Sequence, residues 1–261
     1  LASGENVSRT IVGQSSGYFY GYHCDGIFQT QEQVDEYNNR ARAIAKERNP
    51  NLTAGQISEV YYNSKGTAPG DLIFRDIDND GKITVADKDK IGEPWPKATY
   101  GFQVTANYKG IDVMITSAGV YGRDVFNASK AMLYQFGSYD YSTSTLALTR
   151  WTQEKHSTTN FRIDGTDPNK NMSNPSSWYI EDGSFFRIKN LELGYTVPSL
   201  LTNKLAISRL RVYMSGQNLL TLTKYTGFDP EFGLGSALSS GVDGGTYPQS
   251  KTYTLGLQVE F

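Results

Sequence analysis

Alternating apolar and polar residues dominate the second half of the chain. Across residues 99–109, Tyr100, Phe102, Val104, Ala106 and Tyr108 alternate with Gly101, Gln103, Thr105, Asn107 and Lys109. A period of two sends each set to its own face of an extended strand. Gly110 turns the chain, and Ile111, Val113 and Ile115, then Ser117, Gly119 and Tyr121, carry the alternation on. The pattern predicts a hairpin with aromatic residues near both ends of one apolar face. Residues 185–197 (FFRIKNLELGYTV) and 208–220 (SRLRVYMSGQNLL) predict a second pair, antiparallel because their linker is short. The last eleven residues, KTYTLGLQVEF, set Tyr253, Leu255, Leu257, Val259 and Phe261 against Thr252, Thr254, Gly256, Gln258 and Glu260. This length matches the roughly 9 to 11 residues of a tilted strand crossing a bilayer, and it equally suits a soluble sheet.

The connections sharpen the choice. Long stretches rich in Thr, Asn, Ser and Pro (150–177) or in Gly and Ser (225–250) alternate with short linkers. That is the rhythm of an outer-membrane barrel, whose long loops lie on the outer face. The first half reads differently. Residues 1–29 are rich in Gly, Tyr and Phe and predict short strands and loops. Thr30 with Gln33 reads as a capping box opening a helix to about Arg48, before Pro50. Its acidic residues lie early and its basic residues late, as on a solvated surface helix. A further helical turn is predicted within 130–136.

Composition agrees with strands and turns: 18 Tyr, 12 Phe and 26 Gly stand beside only 38% hydrophobic residues. The net charge is −2 and the cations are scattered, so nucleic acid is not an expected partner. A single cysteine, Cys24, excludes an internal disulfide, and His23 and His156 make a poor zinc site.

One stretch carries explicit metal chemistry. In DIDNDGKITVAD (76–87), Asp76, Asp78 and Asp80 stand at alternate positions, Gly81 sits where a sharp turn is needed, and Asp87 closes a twelve-residue window. Calcium takes six to eight oxygens, and an EF-hand-type loop offers them from positions 1, 3, 5, 7, 9 and 12. The expected ligands are therefore Asp76, Asp78, Asp80, the carbonyl of Lys82, Thr84 and Asp87, with Ile83 pinning the loop to a core. Position 12 is Asp rather than Glu, and no periodic helix leads in, so the loop lacks a full helix-loop-helix hand. The calcium would be structural, closing a turn that otherwise repels itself.

The order of several stretches resembles the SusC/RagA family of TonB-dependent outer-membrane transporters of the Bacteroidetes. These are GYFYGYHCDGIFQTQEQV (17–34), GDLIFRDIDNDGKITVADKDKIGEPWPKATYGF (70–102), YKGIDVMITSAGVYGRDVFN (108–127), WYIEDGSFFRIKNLELGYTVP (178–198), LRVYMSGQNLLTLTKYTGFDPE (210–231) and GVDGGTYPQSKTYTLGLQVEF (241–261). The resemblance implies an all-β fold: the C-terminal part of a large antiparallel transmembrane β-barrel, 22-stranded in the family, with long extracellular loops and a short surface helix. The Asp loop lies within 70–97. The plug, the TonB box and the N-terminal barrel strands of the family have no counterpart here, so the expected strands need the remainder of the barrel. Also implied are an outer-membrane location in lipid, a SusD-like surface lipoprotein, energy from TonB, and an oligosaccharide or peptide substrate. Phe261 would belong to the signal that the barrel-assembly machinery reads.

The first expectation is thus part of a nutrient importer, with no substrate residue assigned. Trp151, Phe161 and Tyr247 on the long loops are suited either to stacking on sugars or to anchoring those loops. The alternative is a secreted, soluble, calcium-dependent β-sandwich binding module. An enzyme is not expected: of the carboxylate pairs, Glu181 and Asp182 are adjacent and point to opposite faces, and no nucleophile accompanies Asp229 and Glu231.

Overall fold

A computed structural model describes residues 7–134, 142–202, 206–232 and 240–261. The chain divides into two units, one of Leu1–Pro94, Val125–Ile180 and Leu234–Gly244, the other of Trp95–Asp124, Glu181–Gly233 and Gly245–Phe261.

The first unit opens with short strands β1 (Ser8–Arg9), β2 (Tyr18–Tyr22) and β3 (Cys24–Ile27). Helix α1 (Gln31–Arg48) begins where expected, with the Thr30 side chain accepting the Gln33 N–H. The reciprocal half of the cap is displaced by one residue, since Gln33 accepts from the N–H of Gln29 at 2.7 Å. Nor is α1 wholly solvated. Val34 and Ala41 join Phe28, Val60 and Tyr62 in a small core, and the Asn38 side chain accepts the Tyr62 N–H. A complete capping box, Thr53 with Gln56, starts α2 (Ala54–Ser58). Strand β4 (Leu72–Phe74) then pairs with β3, and β5 (Lys88–Gly92) with β2.

Strands β6 (Ala98–Tyr108) and β7 (Ile111–Tyr121) belong to the second unit. They are joined by Lys109 and Gly110 at φ +48° and +85°, a two-residue turn of the handedness that matches strand twist. After β8 (Asp124–Asn127), helix α3 (Ala128–Leu133) is capped by the Asn127 side chain accepting the Lys130 N–H. The predicted turn at 130–136 is this helix, and its end beyond Tyr134 lies outside the described residues. The chain continues through β9 (Ile180–Asp182), β10 (Phe185–Thr196), the single turn α4 (Ser199–Thr202), β11 (Arg209–Thr223), β12 (Val242–Asp243) and β13 (Thr252–Glu260).

Five of these strands form one antiparallel sheet in the order β6-β7-β10-β11-β13, a meander in which neighbours in sequence are neighbours in space. Its strands are 9 to 15 residues long. The β6–β7 and β10–β11 connections are short and share one end of the sheet, whereas the long connections after β7 and β11 leave from the other.

Register assembles the apolar residues on one face. Val104, Ile115 and Leu191 are aligned across three strands, as are Leu193, Met214 and Leu255. Phe102, Val104, Leu193, Met214, Leu255, Leu257 and Phe261 are all exposed large hydrophobics. A soluble sandwich would cover such a face with a second sheet.

The face stays continuous although the apolar parity of β10 changes, from Phe186 and Ile188 to Leu191, Leu193 and Tyr195. Both neighbouring ladders shift register between Ile188 and Asn190, leaving Lys189 as a bulge that absorbs the extra residue.

The polar stretch 150–177, expected as a surface loop, instead supplies the interior of the first unit. Trp151 and Phe161 are buried with Tyr22, Leu72, Phe74 and Tyr134. Both therefore anchor the loop and are closed to sugar stacking, whereas Tyr247 is 87% exposed. Buried Asn169 and Asn171 donate to the Leu72 carbonyl and the Asp71 carboxylate, at 3.0 and 2.8 Å. Asp71 also accepts from Arg162 Nε at 2.7 Å. Burial pushes the Asp71 carboxyl up despite the opposing Arg162 guanidinium. Here the asparagines stand in for apolar filling, with nearly every donor matched.

Candidate functional site

The Asp loop is built from its own backbone. Asp76 accepts the N–H groups of Asp80 (3.1 Å) and Gly81 (2.8 Å), Asp78 that of Asp80 (3.0 Å), and Asp80 that of Lys82 (2.8 Å). These bonds curl the chain so that the carboxylates of Asp76, Asp78 and Asp80 each bring an oxygen within 4.8 Å of the others. Gly81, at φ +85°, sits against the α1 backbone, and a side chain there would strike the Ala41 Cα. The Ile83 N–H donates to the Tyr62 carbonyl at 2.7 Å and its side chain packs against two core clusters, which is the pinning expected of it.

The second half of the loop plays a part that spacing alone does not reveal. Asp87 is fully buried, and its two oxygens accept the N–H groups of Ile77 and Thr84, both at 2.7 Å. The Thr84 hydroxyl in turn accepts the Ala86 N–H at 3.1 Å. Asp87 and Thr84 thus clasp the two ends of the window, while the three earlier aspartates converge. Local desolvation and the like charges of Asp80, Asp87 and Asp76 push the exposed Asp78 carboxyl up. Arg48 approaches from α1, with Nη1 3.8 Å from Asp80, a loose and largely exposed pair. The donor set is all oxygen and strongly anionic, which fits a hard divalent cation and no soft one.

In the second unit the polar face of the sheet carries its own chemistry. Arg211 bridges Asp112 on β7 and Glu192 on β10, with Nε 3.0 Å from Asp112 and Nη2 2.6 Å from Glu192. These residues, with Asn107, Lys109 and Arg209, line a cavity of about 440 Å³ at the short-turn end. Toward the other end, Arg187 and Lys189 project from β10 and hold the segment after β11. Arg187 donates to Thr221 Oγ1 (2.7 Å), Glu231 (2.8 Å) and Asp229 (2.5 Å), and Lys189 donates to Glu231 (2.5 Å). Arg123 adds a bond to the Pro230 carbonyl and lies 5.0 Å from the Phe232 ring centroid. Asp229 and Glu231 are therefore both engaged by cations. This clamp escaped the sequence reading, although the parity change at Lys189 was a visible sign of the bulge behind it.

No model of a protein family matches the chain. Among curated proteins it is 31% identical over 256 residues to TonB-dependent receptor P3 and 29% identical over 264 residues to TonB-dependent receptor P26, both of Formosa agariphila. These alignments cover 95% and 99% of the chain. It is also 27% identical over 206 residues to TonB-dependent receptor SusC of Bacteroides thetaiotaomicron, 78% of the chain. It spans 22%, 24% and 19% of the lengths of these relatives. Among solved structures, the RagAB peptide importer in its open-open and closed-closed states superposes with TM-scores of 0.64 and 0.63 at 22% identity. The matches cover 97% and 98% of this chain and 25% of that one. A five-stranded antiparallel meander with one mainly apolar face and one ion-paired face is a piece of such a barrel wall. By likeness along its length and by this fold, the chain belongs to the SusC/RagA family of TonB-dependent receptors of the outer membrane.

Proposed function

We propose that the chain forms part of the wall and loops of an importer that carries oligosaccharides or peptides across the outer membrane. The rest of the barrel completes it, a SusD-like surface lipoprotein assists capture, and TonB supplies the energy. The observation that carries this reading is the two-faced sheet with short and long connections sorted to opposite ends. The relatives named as TonB-dependent receptors support the energy source, the RagAB importers support the peptide option, and the oligosaccharide option rests on the family resemblance of the sequence. The soluble sandwich is the weaker reading, since the apolar face is exposed. Cells carrying the complete receptor should accumulate labelled oligosaccharide or peptide only while TonB is present, and an affinity tag on the receptor should retain a lipoprotein. Equal accumulation without TonB would remove the import reading.

We further propose that the Asp loop takes a structural calcium ion, with Asp76, Asp78, Asp80, the Lys82 carbonyl, Thr84 and Asp87 as ligands. The support is the convergence of three carboxylates in a loop already curled by its own N–H groups. The ion would supply neutralising charge at Asp78 and hold the converging carboxylates together. Chelated receptor titrated with calcium should release heat, and Asp78→Asn with Asp80→Asn should abolish it. At a hundredfold excess of calcium over its dissociation constant, the gain in stability is about 2.7 kcal/mol. A flat titration of the unsubstituted receptor would refute the site.

A further inference from the structure

The small sheet β1-β2-β5 concentrates cations that import as such does not require. Along β2, Phe19 points into a core with Phe126 and Tyr179, whereas Tyr18, Tyr20 and Tyr22 share the opposite face. Register sets Arg9 opposite Tyr18, Lys90 opposite Tyr20 and Lys88 opposite Tyr22. Each cation then leans over a ring. Arg9 lies 4.4 Å from the Tyr20 centroid, Lys88 5.3 Å from that of Tyr22, and Lys90 5.6 Å from that of Tyr18. Lys90 also pairs with Glu93 at 2.6 Å. Among the described residues, Arg9 and Lys88 have no carboxylate partner.

A cation held by a carboxylate has its charge and its donors answered. A cation held by a ring face is positioned yet keeps its N–H groups for an incoming anion. Nine cation–ring pairs occur among the described residues, and three of them lie on this one small sheet, so the cations are concentrated here. An extended peptide would need side-chain pockets or a free strand edge of useful length. This face offers no such pockets, because Tyr18 and Tyr22 are themselves buried, and the strands at its two edges, β1 and β5, are only two and five residues long. It offers instead planar and point cations beside a half-buried tyrosine, a match for hydroxyl-rich chains that carry repeated negative groups.

We propose that the tyrosine face of this sheet binds an acidic oligosaccharide, with Arg9 and Lys88 receiving its carboxylate or sulfate groups and Tyr20 holding Arg9 in place. The inference narrows the substrate class of the import reading and rests on that reading for its physiological sense. The test is titration of the complete receptor in detergent, at low salt, with oligogalacturonate, a neutral oligosaccharide of equal length, and oligoglutamate. Oligogalacturonate is expected to bind best, and Arg9→Gln with Lys88→Gln to weaken it about tenfold while leaving the neutral sugar unchanged. Unaltered heat-modifiable migration of the variant on gels establishes that it is folded. Equal binding of neutral and acidic sugars, no change in the variant, or oligoglutamate binding as tightly would each overturn the proposal. Uptake by cells with and without TonB is read separately. TonB-dependent uptake without binding at this face removes the inference alone, and binding without TonB-dependent uptake removes the import reading alone.

Discussion

Replacing Arg187 with alanine is expected to destabilise the receptor by about 3 to 5 kcal/mol, the usual consequence of leaving a buried charge without its partner. Arg187 and Asp229 are 3% and 5% exposed, so neither reaches water readily. Burial alone would push the Asp229 carboxyl up. The Arg187 guanidinium and the N–H groups of Gln249 and Glu231 outweigh it and hold the carboxyl below its ordinary range. With its folded value depressed, the stability Asp229 contributes is present above the ordinary carboxylate range and lost as pH falls through the folded value. Alanine at 187 would abandon Asp229 and leave the segment 225–232 to Lys189, Arg123, the bonds from Thr226 to Glu181 and the backbone. Lys189→Ala should cost far less, about 1 kcal/mol or below, because Lys189 and Glu231 are each about one third exposed. Denaturant unfolding of the three proteins in detergent measures the difference, and proteolysis within residues 224–232 locates it. The double change Arg187→Met with Asp229→Leu should recover much of the loss, since an apolar pair replaces a buried ionic one at little net cost. If Arg187→Ala is no worse than Lys189→Ala, the clamp is not what holds the segment.

The clamp also marks the boundary between what this sequence discloses and what it conceals. The strands of the large sheet were legible because their signal is local. From Tyr100 to Tyr108 every second residue is apolar, Ile111, Val113 and Ile115 resume the period, and Lys109 with Gly110 supplies the residues needed for the turn. The Asp loop was legible for the same reason, as its donors lie within twelve residues. Its clasp was less so: Asp87 was recognisable as a carboxylate at the right spacing, but its bonds to the Ile77 and Thr84 N–H groups depend on how the loop closes. Least legible were partnerships across long separations. Nothing near Asn169 or Asn171 announces that they meet Leu72 and Asp71, so a stretch rich in Thr, Asn, Ser and Pro read as solvated when its asparagines are buried. Trp151 and Phe161 went with it, and of the two readings open to them packing selects the anchor. Aromatic content reports the capacity to stack, and only packing decides on what.

Placing arginine at Leu193 separates a barrel wall from a soluble sheet. Leu193 lies in the later half of β10, three residues before its end at Thr196, flanked in register by Val113 and Met214, and its side chain belongs to the apolar face. It is 45% exposed. Were that exposure to water, Leu193→Arg would be an ordinary surface change, within about 0.5 kcal/mol of neutral. Facing hydrocarbon, the same change should cost about 2 to 4 kcal/mol, falling to about 0 to 1 near the interfaces. Leu222→Arg, near the long-loop end of β11 and on the same face, is therefore expected to be mild. A third substitution, Thr254→Arg on the opposite face of β13, controls for charge alone and should be tolerated where polar groups already line the wall. Folding of the complete receptor into bilayers, followed by denaturant titration, gives the three values. A steep depth dependence confined to the apolar face is the result required of a strand in lipid. Three equal and small effects would mean that water, not lipid, covers Leu193, and would remove the membrane wall on which every other functional statement about this sheet depends.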